Sequence, residues 1–203
     1  MNFLAHIFLS NNDKQITIGN FIADGIRGKH YKKYPIAIQK GILLHRQIDT
    51  FTDAHPTVRL STKRLHKNYG HYSGVIVDIL YDHFLAKNWN HYSEIPLPDY
   101  IESFYDLLED NYETLPVRIQ KMMPHMIADN WLLSYAKIEG IQKVLDGMNR
   151  RTKLKSGMNT ATVELQEFYT EFEEEFTSFF KELIVFSNET LQRIETQLNT
   201  PKI

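Results

Sequence analysis

His45 and Asp49 stand four residues apart in the segment GILLHRQIDTFTD. On a helix, that spacing puts an imidazole and a carboxylate on one face. Asp53 follows one turn later, and a second pair at the same spacing, Asp78 and Asp82, runs directly into His83. Asp24 lies in GNFIADG, and His6 interrupts an otherwise apolar start. Asp49 and Asp78 have apolar neighbours in Ile48, Val77 and Ile79. A carboxylate buried among such neighbours is costly unless it is paired, hydrogen-bonded or metal-bound. Imidazoles and carboxylates spread over several helices can converge on one cleft, which is how helical proteins build metal sites. The chain has no cysteine. Mixed nitrogen and oxygen ligation then favours manganese, magnesium, iron or zinc and points away from calcium.

Plainer roles compete for the same residues. A His/Asp pair one turn apart is common on any solvated helix. His6 could be a core histidine bonded to a backbone carbonyl, and Asp53 a turn residue ahead of Ala54-His55-Pro56. His30, His66, His71, His91 and His125 read as surface or capping residues. Basic residues cluster at Arg27, Lys29, Lys32 and Lys33, at Lys63, Arg64 and Lys67, and at Arg150, Arg151, Lys153 and Lys155. Beside a metal cleft such clusters suit a phosphorylated substrate or an acidic partner.

The elements that must position these groups read as helices. Apolar residues recur at helical spacing in 36–53 and in 72–89, where Ser73 is a plausible N-cap. Asp99 can cap 100–113, Pro116 and Pro124 punctuate the next stretch, and 125–136 and 138–149 read as two short helices. Residues 162–198 read as one long helix with a break near Ser187–Asn188 and a stripe of Leu165, Phe168, Phe172, Phe176, Phe179, Phe180 and Leu183. That stripe reads as a packing face, and the Glu173–Glu175 run as a solvated one. The N-terminal NFLAHIFLS is compatible with a strand or a short helix. The expected fold is all-α, with about seven or eight helices. GNFIADGIRG contains neither a dinucleotide nor a nucleoside-triphosphate phosphate loop.

The 203 residues fit a single domain spanning 1–203. A hydrophobic fraction of 42% and an aromatic fraction of 12% argue against disorder. The absence of cysteine excludes a disulfide scaffold, a thiol nucleophile and an iron–sulfur site. No apolar run is long enough for a membrane helix, and the start lacks the basic segment of a signal peptide, so a cytoplasmic protein without a membrane partner is expected. A net charge of −2 argues against a nucleic-acid partner. It is a sum of unlike parts: residues 156–203 carry three basic side chains against nine glutamates, net −6, and the preceding 155 residues carry +4.

MNFLAHIFLS, GNFIADGIRG, GILLHRQIDTFTD and DILYDHFLAKNW, with IADNWLLSY and VLDGMNRR downstream, together resemble the acyl carrier protein phosphodiesterase family. The resemblance implies an HD-like all-α bundle and a divalent metal, manganese preferred over magnesium, iron or zinc. It also implies hydrolysis of the phosphodiester between 4'-phosphopantetheine and a serine of holo-acyl carrier protein, an acidic helical partner. The family's recurring polar residues fall on His6, Asp24, His45, Arg46, Asp49, Asp53, Asp78, Asp82 and His83.

The roles expected on that basis are these. Asp24, His45, Asp78 and Asp82 supply most of the metal ligands, with His6 a further one, and Asp49 either ligates or orients His45. His83 protonates the leaving serine oxygen, and Arg46 holds a phosphate oxygen. Arg27, Lys29, Arg150 and Arg151 bind the substrate. Two other readings stay open at this point: an HD-like hydrolase of a nucleotide or other small phosphoester, and a non-enzymatic helical interaction protein built on the 162–198 stripe.

Overall fold

In the computed structural model, which describes residues 1–199, the chain is all-α, with no strand among the described residues. Residues 200–203, the end of the expected 1–203 domain, lie outside the described residues. In chain order the helices are α1 (Phe3–Phe8), α2 (Lys14–Ile22), α3 (Ile36–Ala54), α4 (Pro56–Tyr69), α5 (Ser73–Lys87), α6 (Leu97–Asp110), α7 (Val117–Ala128), α8 (Trp131–Ser134), α9 (Ile138–Arg151), α10 (Thr162–Glu167) and α11 (Tyr169–Asn199). No described helix is long and apolar enough to cross a membrane.

Helix α5 is the axis of the core. Its residues Ile76, Val77, Ile79, Leu80, Tyr81, Phe84 and Leu85 are buried on every side, as befits a helix that is apolar all round. Helix α11 packs across α3, α4 and α5 and buries Phe172, Phe176, Phe179, Phe180 and Leu183 completely. Phe51 of α3 stacks on Phe186 with ring centres 4.2 Å apart, and Phe176 stacks on Phe180 at 5.0 Å. The aromatic stripe is therefore core.

Two members of the glutamate run are tied down rather than solvated. The Arg64 guanidinium grips Glu175 through two bonds of 2.8 Å, and Ser61 and Tyr81 extend the same network. Lys87 pairs with Glu173 at 3.0 Å. Arg64 of the second basic cluster is thus spent inside the protein, holding α4 to α11.

Several boundaries differ from the sequence expectation. The long C-terminal segment breaks at Phe168, between α10 and α11, and runs unbroken through Ser187, whose buried hydroxyl bonds the Leu9 carbonyl. The break turns Phe168 under the Arg64 guanidinium and lets Tyr169 reach His83, two contacts that override helical propensity. Ser73 is the first residue of α5 instead of its cap, bonding back to the Gly70 carbonyl. Helix α6 begins at Leu97, with Asp99 inside its first turn, and Pro124 lies within α7 without ending it. Helices α2 and α4 were not anticipated. Each carries its own start signal: Asp13 accepts from the Gln15 and Ile16 amides, and Pro56 opens α4 beside the His55 cap.

The crossing of α2 and α3 matters most for the site. A Cβ on Gly19 would collide with the Ile38 carbonyl, and one on Gly41 with the Ile16 carbonyl. The two glycines let the backbones touch. Gly19 precedes Asn20, and Gly41 lies one turn before His45.

Candidate metal centre

Helices α1, α2 and α3 deliver His6, Asn20 and His45 with Asp49 to one place. The His6 and His45 rings stack, their centres 3.8 Å apart and their planes 19° from parallel. Asn20 sets both of them. Its side-chain amide donates to the His6 carbonyl at 2.8 Å and to the Ser10 hydroxyl at 3.1 Å, which fixes its oxygen toward His6 Nδ1 at 2.8 Å. Its main-chain carbonyl accepts from His45 Nδ1 at 2.8 Å. Both imidazoles are therefore protonated on Nδ1, and both turn Nε2 toward the same carboxylate.

His45 Nε2 lies 3.1 Å from Asp49 Oδ2 and 3.1 Å from Asp24 Oδ1. His6 Nε2 lies 3.2 Å from Asp49 Oδ1, yet it is buried without a hydrogen-bond partner. A bare nitrogen lone pair facing a carboxylate oxygen is repulsive until a cation or a proton stands between them. One donor atom from each of His6, His45 and Asp49 lies within 4.8 Å of the others, close enough to share one metal ion. Two imidazoles and a carboxylate suit a first-row divalent metal. The imidazoles form the floor, 3% and 7% exposed, while Asp49 at 41% and Asp24 at 63% face solvent. The site is open where a substrate would approach.

Charge is arranged to match. Burial, and then the neighbouring His45, push His6 down to about 4, so it is neutral near pH 7. Burial also opposes the charge on His45, but the Asp24 and Asp49 carboxylates outweigh it and hold His45 up to about 9. Burial works against the Asp49 carboxylate too, and the two imidazoles together with the Met1 ammonium overcome it and hold Asp49 far below the usual carboxylate range. The His45 hydrogen bond lowers Asp24 in the same sense.

The other anticipated residues have other partners. Asp78 lies 3.1 Å from the buried Met1 ammonium, which is 3.6 Å from Asp49, so Asp78 borders the cluster through that cation. Asp82 is fully buried and accepts from the Leu4 amide at 2.8 Å and the Ala5 amide at 3.1 Å. It caps α1 from α5, and burial raises it to about 7. His83 donates from Nδ1 to the Tyr135 carbonyl and accepts the Tyr169 hydroxyl on Nε2, both at 2.8 Å. Neither partner belongs to the His6–His45–Asp49 cluster. Arg46 donates to the Ile26 carbonyl at 2.7 Å and lies over the Tyr31 ring. Asp53 is exposed, as are Arg27, Lys29, Arg150 and Arg151. Arg151 reaches only the Met148 sulfur.

Asn20 escaped the sequence reading. Its one signal is an amide placed between Gly19 and Phe21 in a run whose neighbours are all buried.

Comparison with known proteins places the chain. The family model described as acyl carrier protein phosphodiesterase matches residues 1–183. A Yersinia pestis protein named acyl carrier protein phosphodiesterase is 32% identical over 182 residues, covering 89% of this chain and 94% of that protein. A Photorhabdus laumondii protein of the same name is 31% identical over 183 residues, covering 89% and 91%. A Shigella boydii protein, also so named, is 29% identical over 189 residues, covering 91% and 96%. No solved structure matches. With the family match running through the helices that carry the His6–His45–Asp49 cluster, the chain belongs to the acyl carrier protein phosphodiesterase family.

Proposed function

We propose that this chain is a metal-dependent phosphodiesterase. It hydrolyses the bond between 4'-phosphopantetheine and the serine of holo-acyl carrier protein, giving the apo-carrier and free 4'-phosphopantetheine. The observation that carries this reading is the orphaned Nε2 of His6, held against Asp49 and beside His45 in a site open on its carboxylate side. The family match supplies the substrate.

His6, His45 and Asp49 would hold the ion, with Asp24 at its exposed edge, and manganese is the metal this reading names. When bound, the cation neutralises charge developing on the phosphoryl oxygens and makes water more acidic. Asn20 occupies the other ring nitrogens, so Nε2 is the atom each ring offers the ion, His6 as a neutral ring and His45 once it gives up its proton. Asp24, the most exposed carboxylate of the group, is placed to orient water and take its proton. Attack at phosphorus would break the bond to the serine oxygen, which would leave as the alcohol by taking back the proton that Asp24 accepted from water. Asp78 and Asp82 act in this reading by fixing the start of the chain, and His83 by fixing α5 against Tyr135 and α11. We read residues 1–203 as one domain, HD-like in architecture, working in the cytoplasm where its carrier substrate would be.

The test compares substrates at saturating manganese. The reading predicts kcat/KM for holo-acyl carrier protein at least a hundredfold above that for a nucleotide or a simple aryl phosphodiester. Faster turnover of the small esters would transfer the site to a different phosphoester.

A further inference from the structure

Between Asp24 and Asp49 the sequence contains no carboxylate, yet it contains Arg27, Lys29, Lys32, Lys33, Lys40 and Arg46. Two of these six are spoken for. Lys40 pairs with Glu195 at 3.0 Å, and Arg46 binds the Ile26 carbonyl. The other four lie on or beside one 3₁₀ turn, Gly28–Lys33, and all four are exposed. Among the described residues none of the four forms an ion pair or a side-chain hydrogen bond.

This segment is a held strap, not a loose loop. Arg46 clamps it at the Ile26 carbonyl, 2.7 Å away, and lies over the Tyr31 ring at 5.4 Å. Gln39 takes the Tyr34 carbonyl at 2.8 Å. Gly28, at φ +52°, turns the chain into the strap. The strap begins two residues after Asp24, which is bonded to His45, and its clamp follows His45 directly. A rigid, unpaired positive surface is thereby fixed to the rim of the metal centre.

All four are exposed, and none is hydrogen-bonded to His6, His45, Asp49 or Asp24. A small phosphoester in the cleft would need donors bound into the site, whereas exposed, unpaired charges beside it serve a large partner whose body overhangs the cleft. At about 2 Å of rise per residue the 3₁₀ turn is about 12 Å long, about two turns of a facing α-helix.

Resting on the function proposed above, we propose that the strap from Ile26 to Tyr34 is the surface that docks the protein portion of the substrate, through an acidic helical face, while its phosphodiester enters the His6–His45–Asp49 site. Arg46 serves as the strap's clamp.

The experiment measures binding of apo-acyl carrier protein, which has no phosphodiester, to the full-length protein by fluorescence anisotropy at two ionic strengths. Wild type is compared with Lys32→Glu/Lys33→Glu, with the neutral Lys32→Gln/Lys33→Gln, and with Lys121→Glu/Lys143→Glu, exposed lysines elsewhere that give the same change in net charge. The expected result is a Kd raised at least tenfold by the strap reversal, a smaller rise for the neutral pair, and a flatter salt dependence in both. The distant pair should bind within about twofold of wild type. Strap variants that bind as wild type does, or a distant pair that binds as poorly as the strap reversal, would overturn the proposal. Cleavage of holo-carrier by wild type, followed by mass, separates the two claims. If wild type cleaves and the strap variants bind normally, only the docking surface fails. If wild type neither binds nor cleaves the carrier, both fail.

Discussion

At the level of single residues, metal binding turns on which nitrogen each imidazole leaves free. Asn20 answers this for both rings, for His45 through its main chain and for His6 through its side chain, so losing that side chain should weaken the ion's hold although Asn20 is no ligand. Asn20→Ala should weaken manganese binding by about 10–100-fold, and His6→Ala or His45→Ala more severely, measured by calorimetric titration of the metal-stripped protein. The charge states give a second expectation. At pH 7 His6 is already neutral, because burial takes it to about 4, whereas His45 is charged, because its carboxylates take it to about 9. Metal binding should therefore release about one proton, from His45, which titrations in buffers of different ionisation enthalpy would read. In the metal-free protein His45 is raised above its unfolded value. Its contribution to stability is full below about pH 6.5 and is lost as pH rises through about 9.

His45, Asp49 and Asp24 were legible from residue type and spacing because a helix projects such pairs together. Asp78 and Asp82 have the same spacing and serve different ends. One faces the Met1 ammonium and the other caps α1, and neither partner can be read from α5 alone.

At the scale of elements, the site depends on how closely α2 approaches α3. Gly41→Ala would drive a Cβ into the Ile16 carbonyl and push apart the helices that carry Asn20 and His45. We expect a loss of about 1–3 kcal/mol in urea unfolding, together with weaker metal binding. Asp82→Ala removes the cap from α1 and leaves two amides buried without an acceptor, at a cost of about 1–2 kcal/mol. At saturating manganese the variant should still bind the metal with wild-type stoichiometry, whereas a stoichiometric loss would return Asp82 to the ligand set. Helix α3, with its apolar face, and α5, apolar nearly all round, were readable nearly to their ends. Helix α4 was not, because its buried side, Val58, Ser61, Leu65 and Tyr69, is thin and half polar. The break at Phe168 was equally hidden, since it is imposed by Arg64 and His83, about 100 and 85 residues away in sequence.

At the scale of the whole molecule, the division into a +4 body and a −6 C-terminal portion acquires a structural meaning. Much of the acidic portion is turned against the body's own cations, as in Glu175 with Arg64, Glu173 with Lys87 and Glu195 with Lys40. The strap beside the His6–His45–Asp49 cluster keeps its charge unpaired. The N-terminal helix, the α2–α3 crossing and α5 all meet at the cluster, so occupancy should stabilise the fold as a unit. Manganese at about 100 times its Kd should add about 2.7 kcal/mol of unfolding free energy, and chelation should remove it. The all-α class was readable from periodicity, and the family from its ordered motifs, but the convergence of α1 with α2 and α3 is a tertiary fact with no local signature.

The central claim is that this cluster, when it holds a divalent ion, removes 4'-phosphopantetheine from a carrier protein. The intact mass of holo-acyl carrier protein after incubation with metal-stripped protein, with and without added manganese, tests it most directly. Complete loss of the prosthetic-group mass is expected when manganese is present, and none when it is absent. A carrier whose mass is unchanged in both, or that is cleaved equally well without metal, would contradict it.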